Sequence, residues 1–203
     1  MKQQNRERRR HEILDAALAV LTEKGYRDAS MLAVARRASA SKETMYAWFG
    51  DKAGLFDALI RRNADGVQAV LDRHMRDGGP IDDALAEFGA ALLQLLLGDA
   101  AVAINRAAIS EAVSDPTLAR TLAAGGREAV LPSFMRLLER QFGAGRSGET
   151  LERSAEDFLG LLIGDLQLRR LLGVAAEPTG AEIEARARRA TRAFLCLYRQ
   201  SSP

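Results

Sequence analysis

Two short amphipathic segments joined by only three small residues, Ser39-Ala40-Ser41, restrict this chain more than any other feature in it. Those residues favour a tight turn, and with the two segments they read as a helix-turn-helix. Ser30 opens the first segment as a hydroxyl N-cap, and Met31, Val34, Ala35 and Ala38 follow at helical spacing. Ser41 caps the second, with Glu43 and Thr44 in its first turn. At about 100° per residue, Met45 and Phe49 share the face that packs on the first helix. The opposite face carries Glu43, Thr44 and Ala47, flanked by Lys42 and Tyr46 on one side and Trp48 on the other. A small central surface bordered by polar and aromatic donors suits base edges at its middle and phosphates at its rim, so residues 30–49 are expected to enter a DNA major groove.

The flanking segments have the lengths needed to brace and carry that motif. From Arg8 to Lys24, Ile13, Leu14, Ala17, Leu18 and Leu21 form one apolar helical face, ended by Gly25, over which Tyr26 should pack. Asp51 caps a long helix running from Lys52 through Leu55, Phe56, Leu59, Ile60, Val67, Val70 and Leu71 to about Asp77, a span of roughly 40 Å. Lys52 in its first turn is placed to pair with a DNA phosphate beside the helix N-terminus. The candidate DNA contacts are therefore Ser30, Ser41, Lys42, Glu43, Thr44, Tyr46, Ala47, Trp48 and Lys52. Gly78-Gly79-Pro80 then marks a turn.

Charge is distributed to match. Residues 1–62 contain 13 Lys or Arg against 8 Asp or Glu, net +5; the rest contains 16 against 19, net −3, so the overall +2 conceals a basic end. Such an excess binds a polyanion through counterion release, and Arg6, Arg8, Arg9 and Arg10 concentrate it in an arm expected to touch phosphate or the minor groove. His11 lies in that arm and His74 in the charged run RHMRD, neither at metal-ligand or nucleophile spacing. No catalytic residue, metal or cofactor is expected. The single Cys196 forms no intramolecular disulfide. There is no run of about 18 apolar residues and no charged-then-apolar leader, which points to a cytoplasmic protein without a membrane partner.

Beyond residue 80 the helices lose their polar patterning. Ile81 to Leu97 carries Leu85, Phe88, Leu92, Leu95 and Leu96; Ala100 to Val113 carries Val102, Ile104, Ala108, Ile109 and Val113. Asp115-Pro116 starts a further helix, and Gly125-Gly126 with Pro132 should break or kink the chain before Phe134 to Phe142 resumes. GAGRSG, residues 143–148, matches a dinucleotide-binding spacing in letter only; a helix precedes it where that fingerprint needs a strand, so a flexible loop is expected. Leu151 to Leu172 is apolar nearly all round and must be covered on every side, one side by this subunit and the other by a second copy, with Gly160 and Gly164 allowing close approach. The last helix, Glu182 to about Arg199, adds Ile183, Ala187, Ala190, Phe194, Leu195, Leu197 and Tyr198. Phe158, Leu159, Leu162, Leu166, Ala190 and Phe194 are the candidate dimer interface. Polar residues on these apolar helices, Asn105, Arg106 and Ser110, and Asp165, Gln167 and Arg169, are candidate lining for a small ligand. Asp165 and Arg169 are also spaced to pair with each other, and Leu-rich walls suit an apolar ligand.

Arg9-Arg10, Ile13 through Leu18, Gly25-Tyr26, Ala29-Ser30, Val34-Ala35, Ala38, Ser41-Lys42, Thr44-Met45-Tyr46, Phe49, Lys52 and Leu55-Phe56 stand in an order and spacing that resembles the TetR family of one-component transcriptional regulators. The segments INRAAISEAVSDPTLARTLAAGGREAV and FLGLLIGDLQLRRLLG look similar to the C-terminal regulatory domains of a subgroup. The resemblance implies an all-α fold of about nine helices. Residues 1–52 would form a three-helix DNA-binding domain, joined by the long helix to a ligand-binding and dimerisation domain over 53–203. It also implies a homodimer on a pseudo-palindromic operator, usually a repressor, released by a small-molecule effector, its last two helices forming a four-helix bundle with those of the second copy. Two residues depart from the family pattern. Ser39 stands where glycine is usual, which puts a side chain into a left-handed turn. Glu43 replaces a small residue, and an acid facing DNA either accepts from a cytosine amino group or repels phosphate. An architectural DNA binder that senses no effector is the alternative function.

Overall fold

The computed structural model describes residues 2–142 and 148–199, and among these every regular element is an α-helix. In chain order these are α1 (Lys2–Asp28), α2 (Met31–Arg37), α3 (Lys42–Phe49), α4 (Lys52–Asp77), α5 (Ile81–Leu97), α6 (Asp99–Glu111), α7 (Thr117–Gly125), α8 (Arg127–Phe142), α9 (Gly148–Ile163), α10 (Leu166–Leu172) and α11 (Gly180–Arg199). The GAGRSG stretch falls outside the described residues apart from its last glycine, which opens α9. Eleven helices stand against the roughly nine expected. One reason is Gly164, whose φ of 52° ends α9 where a continuous helix to Leu172 was expected. Between α7 and α8 the break falls at Gly126, while Pro132 lies inside α8 on its exposed side.

By packing, the chain forms two units, Met1–Asn63 with Ala100–Arg127, and Ala64–Asp99 with Glu128–Pro203. The first gathers around Ile13, Leu14, Ala17 and Leu21 of α1, Val34 and Ala35 of α2, Met45 and Phe49 of α3, and Leu55, Phe56 and Leu59 of α4. Ile104 and Ala108 of α6 and Leu118 of α7 enter the same core, which is why a segment distant in sequence joins this unit. Each large side chain so buried contributes about 1.5–3 kcal/mol. Ile109 and Val113, expected on the buried face of α6, are exposed instead: Ile109 lies on the outer side of the last turn, and Val113 lies beyond the end of α6 at Glu111.

The basic N-terminal segment is not an extended arm. It is the start of α1, supported by Arg8–Glu12 and Arg9–Glu12 pairs at 3.9 and 2.7 Å. Gly25 (φ 74°, ψ 172°) breaks the helical run where it was expected to end, though one more turn follows within α1, and Tyr26 lies edge-on to Phe56 at 5.1 Å between ring centres.

The second unit is built on aromatic rings. Phe88 stacks on Phe134 at 4.3 Å, Phe158 lies 5.4 Å from both Phe134 and Phe194, and Tyr198 lies 4.5 Å from Phe194. These rings account for four of the candidate interface residues differently from expectation: Phe158, Leu162, Ala190 and Phe194 are buried in this subunit's own core. Leu159 and Leu166 are half-buried, Leu166 packed on that core. What the two helices leave exposed is another set, Leu161 at the end of α9 and Leu168 (58%) and Leu172 (67%) on α10. At the joint before α6, Arg170 donates to Leu97 O at 2.9 Å, to Ala175 O at 3.2 Å and to Asp99 Oδ1 at 2.7 Å. The N-terminus of α11 has a capping box that sequence reading overlooked, Thr179 N–H donating to Glu182 Oε2 at 2.8 Å and Glu182 N–H to Thr179 Oγ1 at 3.3 Å. No single helix among the described residues is long and apolar enough to cross a membrane.

Candidate DNA interface

Serine caps set both helices of the motif. Ser30 Oγ accepts from Ala33 N–H and Ser41 Oγ from Thr44 N–H, each at 3.1 Å, with extended backbone at both caps. Between them the turn is a Schellman arrangement: Ala40 N–H reaches back to Ala35 O at 2.9 Å and Ser39 N–H to Arg36 O at 3.3 Å. This closure requires a left-handed residue at its centre. Ser39 supplies it at φ 50°, the one non-glycine residue with positive φ among those described. An L-side chain there costs roughly 1–2 kcal/mol.

Met45 and Phe49 are buried under α3, as the spacing required. Lys42, Glu43, Tyr46 and Ala47 are exposed, and Thr44 and Trp48 are half-buried. Thr44 Oγ1 lies 3.0 Å from Ser41 Oγ. The start of α4 comes so close to the end of α3 that a Cβ on Gly54 would sit 2.1 Å from Phe49 O, so only glycine fits. Cations lie over three rings of α3: Arg6 over Trp48 at 5.5 Å, Arg10 over Phe49 at 5.7 Å and Lys42 over Tyr46 at 5.8 Å. The outer face of α3 is therefore largely exposed and rimmed by guanidinium and ammonium groups.

Glu43 carries the one acid on this surface. Its own backbone N–H, then the Ser41 hydroxyl, hold its carboxyl below the ordinary value, so it stays ionised. A carboxylate fixed at the N-terminal turn of α3 repels phosphate and can accept from a base amino group.

Lys52 does not stand where the sequence put it. Its ammonium turns inward, donating to Tyr26 O and to Arg27 O at 3.1 Å and lying 4.0 Å over the Tyr26 ring. Carbonyls at the C-terminal end of a helix carry the negative end of its dipole and attract a cation; Tyr26 O also accepts from Ala29 N–H at 3.2 Å. Burial lowers the Lys52 pKa, opposed by Asp115, Glu111 and Asp28. Burial likewise raises that of Tyr26, helped by Asp115 and Asp51. Asp51 caps α4 as expected, accepting from Gly54 N–H at 2.8 Å. Sequence reasoning missed the role of Arg9, whose guanidinium donates to Ala38 O at 2.6 Å and Ser39 O at 2.8 Å. No local pattern betrays such a bond between residues about thirty positions apart.

The candidate ligand-lining residues divide between the units. Asn105, Arg106 and Ser110 lie in the first, where Asn105 donates to Ala101 O and Ser110 to Ala107 O. Asp165 and Arg169 lie exposed in the second and form no ion pair with each other among the described residues; Asp165 acts electrostatically on Arg186 instead. A recess lined by His74, Gly78, Ile81, Leu137 and Arg140 measures about 10 Å³, room for one water at most. Among the described residues no group of three or more His, Cys, Asp or Glu side chains is placed to hold a metal.

Residues 13–59 match the family model described as bacterial regulatory proteins, tetR family, and residues 83–200 match that of the AefR-like transcriptional repressor, C-terminal domain. The HTH-type transcriptional repressor KstR of Mycolicibacterium smegmatis is 38% identical over 71 residues, 35% of each chain. The chain spans about a third of the length of the curated relatives it matches. A TetR transcriptional regulator from Agrobacterium tumefaciens, of known structure, is 32% identical with a TM-score of 0.69 over 93% of both chains. The flavonoid-responsive regulator FrrA is 28% identical with a TM-score of 0.68, over 94% of this chain and 97% of that one.

Proposed function

The chain belongs to the TetR family of DNA-binding transcriptional regulators, and from that premise we propose that it is a homodimeric repressor released from a pseudo-palindromic operator by a small molecule. The observation that carries this reading is the capped α3, with Met45 and Phe49 buried beneath and Lys42, Glu43, Tyr46 and Ala47 exposed above. Thr44 and Ala47 face base edges, Glu43 selects among them, and Lys42, Tyr46 and Trp48 meet the backbone. Ser30 spends its oxygen on a helix cap and retains its hydroxyl proton for phosphate, whereas Ser41 caps α3 and gives its proton to Glu43. Lys52 leaves the set of contacts.

Residues 1–52 act as the reading domain, whose packing unit also takes in 53–63 and 100–127, and the rest of 53–203 as the regulatory one, in the cytoplasm. Two copies pair through the face bearing Leu161, Leu168 and Leu172, since leucines this exposed favour burial against a like surface. Each reading helix then enters one of two successive major grooves. The phenylalanine-rich interior of the second unit, and likeness to a regulator named for its response to flavonoids, support a planar apolar effector. An effector that binds the released form better weakens DNA binding by the same factor.

Selection of bound fragments from random DNA tests this directly. Recovered sites should be two-fold symmetric, and candidate planar aromatics should release them; retention of asymmetric sequences alone overturns the reading. Tyr46→Ala should weaken binding to all DNA and flatten its salt dependence, whereas Thr44→Ala should relax preference at particular base pairs.

A further inference from the structure

A left-handed residue with a side chain sits at the centre of the α2–α3 turn, and the angle of α3 depends on that turn. Glycine adopts this conformation without strain, whereas serine does so only if its surroundings hold it. The guanidinium of Arg9 provides the hold. Its Nη2 donates to the carbonyls of Ala38 and Ser39, the two residues at the left-handed corner, at 2.6 and 2.8 Å. Glu12, one turn further along α1, fixes the other end of the fork through Nη1 at 2.7 Å. Three of its five N–H donors are thus taken, both of those on Nη2 by the turn.

We propose that Arg9 is a positioning residue that sets the angle of α3 by clamping the Ala38–Ser39 corner from α1, and that it is not one of the DNA contacts. Arg9 and Ser39 act as a pair: the clamp is needed because the corner lacks glycine. An ammonium is a point donor and bridges two carbonyls poorly, so Arg9→Lys should replace the clamp only in part. This inference rests on α3 being the DNA-reading helix.

The experiment compares the full chain with Arg9→Ala, Arg9→Lys, Ser39→Gly and Arg9→Ala/Ser39→Gly, on the selected operator across a salt series. Arg9→Ala should weaken operator binding about tenfold with no change in the slope of log affinity against log salt. Amide exchange at Ala40, whose N–H closes the turn onto Ala35 O, should accelerate in the same variant. Adding Ser39→Gly should return both measurements most of the way to the parent, and Arg9→Lys should fall between. A slope shallower by about 0.9 in Arg9→Ala would make Arg9 a phosphate contact and overturn the proposal. So would failure of Ser39→Gly to restore binding, or an unchanged exchange rate at Ala40. The exchange measurement needs no DNA, so a parent chain that binds no operator would defeat the functional reading and leave the role of Arg9 to be decided by exchange alone.

Discussion

In the first unit polar bonds pin the ends of the elements around the motif; in the second, similar bonds at Arg170 and at the Thr179–Glu182 cap stand beside an interior filled with rings. Ser30, Ser41 and Asp51 each take a backbone N–H, and Arg9 and Lys52 each take backbone carbonyls, within the sixty or so residues that hold the motif. In the second unit Phe88, Phe134, Phe158 and Phe194 lie ring against ring. Directional bonds define angles, and a DNA-reading helix needs its angle defined; contacts between rings define volume and are tolerant of exchange. The contrast teaches that the two ends meet different demands, a defined helix angle in one and a large apolar interior in the other.

The largest effect should come from the interior. Phe158→Ala removes a ring that touches three others and should cost about 3–5 kcal/mol. The sole tryptophan, Trp48, reports the first unit, so urea unfolding followed by its fluorescence and by far-UV circular dichroism separates the two. The dichroism midpoint should fall further than the fluorescence midpoint, and an equal fall would abolish the contrast. Next, Leu168→Asp with Leu172→Asp should leave the fold intact, give monomers on sedimentation and weaken operator binding about 100-fold, as loss of avidity does. A dimer that survives both substitutions would remove the interface from this face.

A smaller change sharpens the other side. Ser41→Ala deletes the cap of α3 and should cost about 1 kcal/mol, seen in the Trp48 transition. Smallest is a pH effect in which both units act alike. Glu182, held below its ordinary 4.5 by the Thr179 N–H and hydroxyl, has a lower pKa folded than unfolded. Its contribution is therefore complete above pH 4.5 and disappears as pH falls through the lowered value. Glu182→Gln should flatten that limb of the melting temperature against pH, and Glu43→Gln should do the same for the reading unit. A limb unchanged in either variant would mean that its carboxylate does not stabilise the fold.

Much of the reading unit was legible before any coordinates, because a cap, a turn and a 3.6-residue period are each written in adjacent residues. Ser30, Ser41, Asp51, Met45 and Phe49 stand as expected. Even the strain at Ser39 was visible as a side chain in a turn that suits glycine. Its remedy was not, since Arg9 meets that turn only when α1 packs beside α2. Lys52 misled for the same reason: a lysine at a helix start looks free until the carbonyls of another helix are found beneath it. From Leu151 to Leu172 apolar residues line so much of the circumference that periodicity cannot say which one faces inward, and Phe158, expected at the interface, is core while Leu168 is exposed. Sequence alone determined the helices, the motif and the basic end, all products of short-range chemistry. Which face is core, which cation is spent and which is left for DNA were decided by packing between distant segments, where burial outweighs every local preference.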